Sequence, residues 1–440
     1  MSQVGGSRLY IVIFPCGVAL GILSILVPIY LVKELGGTLV DLGIMESLGT
    51  ALLIPASAYL GGLPDRYRKA KPFILLSLFG MSVASFFLSL ASSVLAFQVS
   101  YILLQLLGYL RGPSMGILIA ESTERGCRSS VLARRNLSES LGNVAGLAIC
   151  SLTIGLLGMR GLIRISSLFL LISFFISLIS IRDPPIYIER FLDRYERWID
   201  RVEAFSLNLT GEGKLSRSFE MMWRREPDMR LFGIGRALFA FAASNAFTSL
   251  PIFLLSKAGL QPSIISTVFL VRNLFMSLSY LMAVGLVGDG GEKAIKIASL
   301  VRTAMIGLLP LTASLTYPYS AIATALILSI IAFSWSIYAV GVETLTLSFA
   351  NPGSLGIYDA LSMVGDALGG LSGGVLPGVL GFEAAFLISS CLFLFSLLTF
   401  SIGFKRGLRR CFRHSREIRI PIYIYRGSPE PIKGWWSNRR

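Results

Sequence analysis

The chain has 440 residues, 54% hydrophobic and 15% charged, with a mean hydropathy of +0.70 and a formal net charge of +15. A soluble domain has about a quarter of its residues charged, so a water-facing globule is excluded. The apolar residues come in long blocks, the mark of a multi-span helical membrane protein in which each span needs roughly 20 apolar residues.

In chain order the blocks predict helices over 9–32, 41–62, 73–94, 96–119, 136–157, 161–181, 231–256, 262–287, 293–315, 318–341, 356–380 and 382–404. The first is not followed by a small-residue cleavage site and a soluble domain, so it reads as a retained helix and not as a signal peptide. The fold class expected is therefore an all-α integral membrane protein with twelve transmembrane helices in two six-helix halves. The halves are 1–181 and 231–404, joined by a cytoplasmic linker over 182–230 and followed by a basic tail over 405–440. In the linker, Ile188, Phe191, Leu192, Tyr195, Trp198, Ile199, Val202 and Phe205 recur at intervals of three and four, predicting an amphipathic helix in the headgroup layer. The tail, with Trp435 and Trp436 among its basic residues, reads as a membrane-surface segment.

With an even number of spans both termini lie on one side. That side collects Arg8, the Arg66–Lys71 cluster, Arg125–Arg135, the linker, Lys293, Lys296 and the tail, against little beyond Lys33, Arg160, Arg164 and Lys257 opposite. The positive-inside rule makes both termini cytoplasmic. The net charge is then a topology signal plus attraction to anionic headgroups, and no nucleic-acid partner is expected. The bilayer is the expected surroundings.

Several enzyme and metal signatures fail. The Gly213–Lys214 pair lacks a P-loop frame, and GLSGG at 370–374 lies in a glycine-rich helix, while the only histidine of the chain is His414. Five scattered cysteines give neither a CxxC pair nor a disulfide framework. No enzyme activity, metal or cofactor is expected.

Three matches recur at nearly constant separation. PIYLVKELG at 28–36 matches PIFLLSKAG at 251–259, 223 positions on. GGLPDRYRK from Gly61 matches GLVGDGGEK from Gly285 in the frame G-x-x-x-D-x-x-x-K. LGNVAGLAICSLTIGLLG at 141–158 matches VGDALGGLSGGVLPGVLG at 364–381. They fall in corresponding spans, which predicts two halves of one ancestry. Parallel repeats of this kind build secondary transporters whose binding sites lie at the midplane between the halves.

With these features the sequence resembles the major facilitator superfamily (MFS) over its whole length. That family's loop pattern is roughly G-x-x-x-D-R-x-G-R-R. Gly61, Asp65, Arg66 and Lys69 stand in their places, whereas Arg68 replaces the second glycine and Pro64 is inserted. Arg111–Gly112 is similar to the family's fourth-helix motif, and Gly142–Gly146 to a fifth-helix motif of its exporters. The resemblance implies a secondary active transporter of a small organic solute working by alternating access, coupled to a proton or other ion gradient. It implies a plasma-membrane protein functional as a monomer. An exporter of amphiphilic, drug-like compounds and a non-transporting receptor of the same fold stay open as alternatives. It also implies a cytoplasmic gate of two related clusters: Asp65, Lys69 and Glu121, and Asp289, Lys293 and Glu343.

Ionisable groups at membrane depth are costly and mark functional sites. Counting about 1.5 Å per residue puts Arg272 and Asp366 roughly 15 Å into their spans. Arg111 and Arg236 lie nearer the cytoplasmic side, with Asp359 one heptad below Asp366, Glu46 near the outer edge and Glu139 near the inner one. The candidate substrate and coupling-ion cavity is therefore Arg111, Arg236, Arg272, Asp359 and Asp366, with polar help from Gln105, Asn245, Asn273 and Tyr338. Two readings stand for Arg272 and Asp366: groups that bind a charged substrate and couple it to a proton, or a structural ion pair within the second half.

Overall fold

The computed structural model describes residues 4–60, 69–122, 128–181, 229–287, 291–349 and 352–417, and all regular structure among them is helical. The linker helix over 186–205 and the tail beyond Glu417 lie outside the described residues.

The first half holds α1 (Val4–Lys33), α2 (Leu39–Leu60), α3 (Lys71–Leu90), α4 (Val94–Tyr109), α5 (Arg111–Ser122) and α6 (Arg128–Ser180). The second holds α7 (Met229–Ser256), α8 (Pro262–Val287), α9 (Glu292–Leu308), α10 (Tyr319–Phe349), α11 (Pro352–Val379) and α12 (Phe382–Glu417). Ten described stretches are long and apolar enough to cross a membrane. The one over Arg134–Ser180 holds two spans, and α11, whose aspartates and glycines lower its hydropathy, is the twelfth.

The elements differ from the predicted blocks for local reasons. The fourth span is interrupted at Leu110, so that α4 and α5 share it. Pro310 turns the end of the ninth into a 3-10 segment over Leu309–Ser314. α10 and α12 run past the predicted ends at 341 and 404, through Gly341 and Gly403 and with no proline to stop them; the first part of the basic tail is thus helical to Glu417. Thr38 starts α2 with a capping box: its Oγ1 accepts from the Asp41 N–H at 3.1 Å, and Asp41 Oδ2 accepts from the Thr38 N–H at 2.8 Å.

The duplication reappears atom by atom. After α1 and after α7 the chain turns through the same helix-ending motif, with Gly36 at φ +68° and Gly259 at φ +64°, a conformation costly for residues with a Cβ. Gly158, at φ +67°, breaks α6 into the fifth and sixth spans, and its counterpart Gly381, at φ +88°, separates α11 from α12. Ser173 Oγ donates to the Val12 carbonyl at 2.6 Å, and Ser396 Oγ, 223 positions on, donates to the Gly235 carbonyl at 2.8 Å. Between α1 and α6 the backbones meet at Gly142 and Gly146; between α7 and α11 they meet at Gly365 and Gly369. Small residues allow such approach where lipid supplies no hydrophobic drive for helix association.

The halves meet along two seams that the same symmetry relates, α2 against α11 and the fifth-span part of α6 against α8. In the first, Gly43 packs on Gly374 and Gly370 abuts Glu46 and Ser47. In the second, Ser151 bonds Thr267 at 2.6 Å and Ser140 bonds Ser277 at 2.6 Å. The first seam and the Ser151–Thr267 contact lie toward the membrane face that carries the 34–38 and 257–261 turns, below called the loop face. The opposite face, where both described chain ends lie, is called the terminal face.

Candidate functional site: charged groups between the halves

One stripe of α11 traces the interior from end to end. Asp359, Met363, Asp366 and Gly370 follow one another at helical spacing. The Asp359 carboxyl at the terminal-face end is 63% exposed, Asp366 is half-buried and Gly370 is buried against α2. The opposite stripe, with Leu361, Val364, Leu368 and Leu371, is exposed and wholly apolar, as a lipid face must be. The polar stripe therefore runs from an exposed carboxyl at the terminal-face end to the Gly370–Glu46 contact, where α11 packs on α2.

Arg272 lies on the interior face of α8. Ile265, Phe269 and Ser279 share that face and are buried, while Phe275, Leu278 and Met282 face outward and are exposed. Its guanidinium lies 5.1 Å from the Phe247 ring centroid and 5.7 Å from that of Phe269, a cation–π arrangement. Its Nε is buried without a hydrogen-bond partner, and no carboxylate pairs with it among the described residues. Asp366 likewise forms neither ion pair nor hydrogen bond there. The expected alternative of a structural Arg272–Asp366 pair is thus corrected: the two sit on α8 and α11, which do not form a packed helix pair among the described elements.

Two pairs between different helices do form among the described residues, with other partners. Arg111 Nη2 donates to Glu139 Oε1 at 2.7 Å, joining α5 to α6, with side chains 12% and 21% exposed; Arg111 Nε and Nη1 are buried without partners. Arg236 Nη2 donates to Asp359 Oδ1 at 2.9 Å, joining α7 to α11. Because the Asp359 carboxyl is 63% exposed, Asp359→Asn should lower stability by less than about 1 kcal/mol, read as a small change in detergent melting temperature.

Sequence reasoning passed over Arg302, in the ninth span. It is 1% exposed, caged by Phe239 and Trp335, each 5.1 Å from its guanidinium carbon, and by Phe393 at 5.6 Å. Its two hydrogen bonds, to Ser334 Oγ at 3.3 Å and the Ile331 carbonyl at 3.4 Å, are long, and Nη1 has no partner. The available signal was a lone arginine in an apolar block. Tyr338, 6% exposed, stacks on Phe239 with centroids 3.6 Å apart.

The polar candidates have other duties. Asn245 is fully buried; its Nδ2 donates to the Ala385 carbonyl and Ser389 Oγ, and its Oδ1 accepts from Ser372 Oγ at 2.8 Å, tying α7, α11 and α12 together. Asn273 Nδ2 donates to the Phe269 carbonyl of its own helix. Gln105 Nε2 donates to Glu46 at 3.1 Å. Among the gate residues Lys69 and Lys293 are exposed at the terminal face; Glu121 and Glu343 lie within α5 and α10. Gly61, Asp65, Arg66 and Asp289 lie outside the described residues.

A family model described as Major Facilitator Superfamily matches residues 9–356. A solved POT family transporter in complex with a thioalcohol-conjugated peptide superposes with a TM-score of 0.69 at 14% identity, over 92% of this chain and 96% of that one. The xylose transporter XylE from E. coli, in a partially occluded inward open conformation, gives 0.63 at 12% identity over 90% and 98%. The human organic anion transporter MFSD10 gives 0.62 at 16% identity over 91% and 99%. Likenesses at such identities establish the fold. A search of curated protein sequences finds no match. With the family match spanning most of the chain and the repeated six-helix halves beneath it, this multi-pass membrane protein belongs to the Major Facilitator Superfamily, as a transporter of small solutes.

Proposed function

We propose that the chain carries small organic anions by alternating access, driven by an ion gradient. The observation behind this reading is Arg272: an interior cation about 15 Å into its span, flanked by aromatic rings and paired with no carboxylate among the described residues. A guanidinium left without a partner in a membrane interior is costly. A carboxylate or phosphate arriving with the solute offers it a bidentate acceptor. Arg302 reinforces the positive field from within the helix packing, and Phe247, Phe269 and Trp335 offer cover for an apolar body. The name of the human organic anion transporter with the same fold runs in the same direction.

The positive-inside count favours the terminal face as the cytoplasmic one in a plasma-membrane protein, so the exposed Asp359 end of the stripe would face inward. The halves over 1–181 and 231–404 rock about the site, tethered by the 182–230 linker. When the inner face closes, the gate clusters around Lys69 and Lys293 come together.

The test is uptake into proteoliposomes of radiolabelled aromatic and aliphatic carboxylates, beside their neutral amides and the matching amines. Carboxylates should accumulate, and Arg272→Gln should weaken their apparent affinity roughly ten- to a hundredfold, the value of one charge-assisted contact. Preference for the amines, or unchanged carboxylate uptake by Arg272→Gln, would overturn the reading.

A further inference from the structure

Glu46 is a carboxylate at the seam between the halves that the anion site does not use. It lies on α2, two turns below Thr38, and takes its hydrogen bonds from α4. Tyr101 Oη donates to Oε1 at 2.8 Å and Gln105 Nε2 donates to Oε2 at 3.1 Å. Neither donor is charged, and among the described residues no cation pairs with Glu46. On its other side Gly370 of α11 comes so close that an added Cβ would lie 3.3 Å from the Glu46 Cβ. The seam thus packs the root of this side chain against a helix of the other half, while its carboxyl turns to α4.

Its surroundings hold an unpaired acceptor. Gln105 Oε1 is buried without a hydrogen-bond partner, beside Gly49, whose missing side chain makes room for it. The two ends of an amide differ only by which hydrogen bonds they make. With the amide turned over and a proton on Glu46, the carboxyl O–H donates to the amide oxygen in place of the N–H contact it now receives, so the protonated carboxyl keeps both of its hydrogen bonds. The charged groups on the surrounding elements do not replace the proton. α11 brings Asp366, one turn from Gly370, which is itself acidic. α2 brings Asp41, engaged in its own helix cap. α1 brings Tyr30, bonded to Arg160 of α6, and ends at Lys33; α7 is followed by Lys257 at the loop face. α4 brings Tyr101 and Gln105 to the carboxyl, and Gln98, which donates to the Asp41 carbonyl.

We propose that Glu46 is a proton-binding site of the α2–α11 seam: the loop-face side closes with Glu46 protonated, and loss of the proton favours its opening. This rests on the alternating-access reading above. The physical reason is that a carboxylate without a cation is poorly tolerated once packing removes its water, whereas a neutral carboxyl with two hydrogen bonds is not. A group of this kind ties the state of the seam to the proton concentration on the side it faces when open.

The experiment is a spin-label distance measurement across the seam in nanodiscs. Labels are placed at Val40→Cys on α2 and Val379→Cys on α11, both exposed positions, in full-length chain with its native cysteines replaced by serine. The expected result is one short distance in acid and a growing long-distance population as the pH rises. In Glu46→Gln, whose side chain is neutral at every pH, the short distance should persist throughout. In Tyr101→Phe the midpoint should move to higher pH, because the charged form loses a donor. A pH response of Glu46→Gln equal to that of the parent, or an unmoved midpoint in Tyr101→Phe, overturns the proposal. Both distances present but insensitive to pH would overturn it while leaving alternating access standing. A single short distance under every condition would remove both.

Discussion

Glu139→Gln is expected to lower the stability of the folded protein by about 3–5 kcal/mol, because it leaves the buried Arg111 guanidinium without its counter-charge. The pair is short, at 2.7 Å, and its side chains are 12% and 21% exposed, so water cannot stand in for the lost carboxylate. Arg111 already has Nε and Nη1 without partners, and the contact to Glu139 is its only hydrogen bond among the described residues. The double variant Arg111→Met, Glu139→Leu should recover most of the loss, since an apolar pair of similar volume removes the buried charge altogether. Thermal unfolding in detergent, followed for Glu139→Gln and the double variant, checks this. If the double variant is no more stable than Glu139→Gln alone, the cost lies in the shape of the site and not in its charge.

Gly146→Val and Gly369→Val should each be nearly as damaging, and for the same geometrical reason in the two halves. A Cβ at 146 would stand 2.1 Å from the Val18 carbonyl oxygen, and one at 369 would stand 2.5 Å from that of Phe241. The obstacle is helix backbone, which cannot rotate away as a side chain can. We expect losses at or above the upper end of the ~1–3 kcal/mol seen for overpacking. Gly155→Ala is the control: nothing lies within 4 Å of its added Cβ, and it should be neutral or slightly stabilising, by at most about 1 kcal/mol. The yield of monodisperse protein on size exclusion, together with the melting temperature, distinguishes the two groups. Equal behaviour of Gly146→Val and Gly155→Ala would mean that α1 and α6 do not approach as closely as described.

Much of the architecture was legible in the chain. The blocks of apolar residues predicted the spans because a bilayer has a fixed thickness and every backbone polar group inside it must be satisfied within its own helix. The repeat at 223 positions predicted the pairing of Gly142 with Gly365 and of Gly36 with Gly259, and the structure gives these glycines equivalent contacts or turns. The charged interior positions were visible too, since an arginine or aspartate stands out in an apolar block.

Partners and direction were not legible. Helical periodicity constrains what shares one face of one helix, but says nothing of which helix faces it. Glu139 is 28 residues from Arg111, Asp359 is 123 from Arg236, and Tyr101 is 55 from Glu46, so each pairing was decided only when the helices packed. Arg302 illustrates the limit: its neighbours in sequence are apolar, and only the convergence of Phe239, Trp335 and Phe393 from three other helices explains how its charge is held. The sequence by itself determined a twelve-span, twice-repeated membrane bundle with charge in its interior. Tertiary packing alone decided which charges were paired, which had no carboxylate beside them among the described residues, and where the two halves met. Those depend on distances between helices, and the order of residues along any one helix does not encode them.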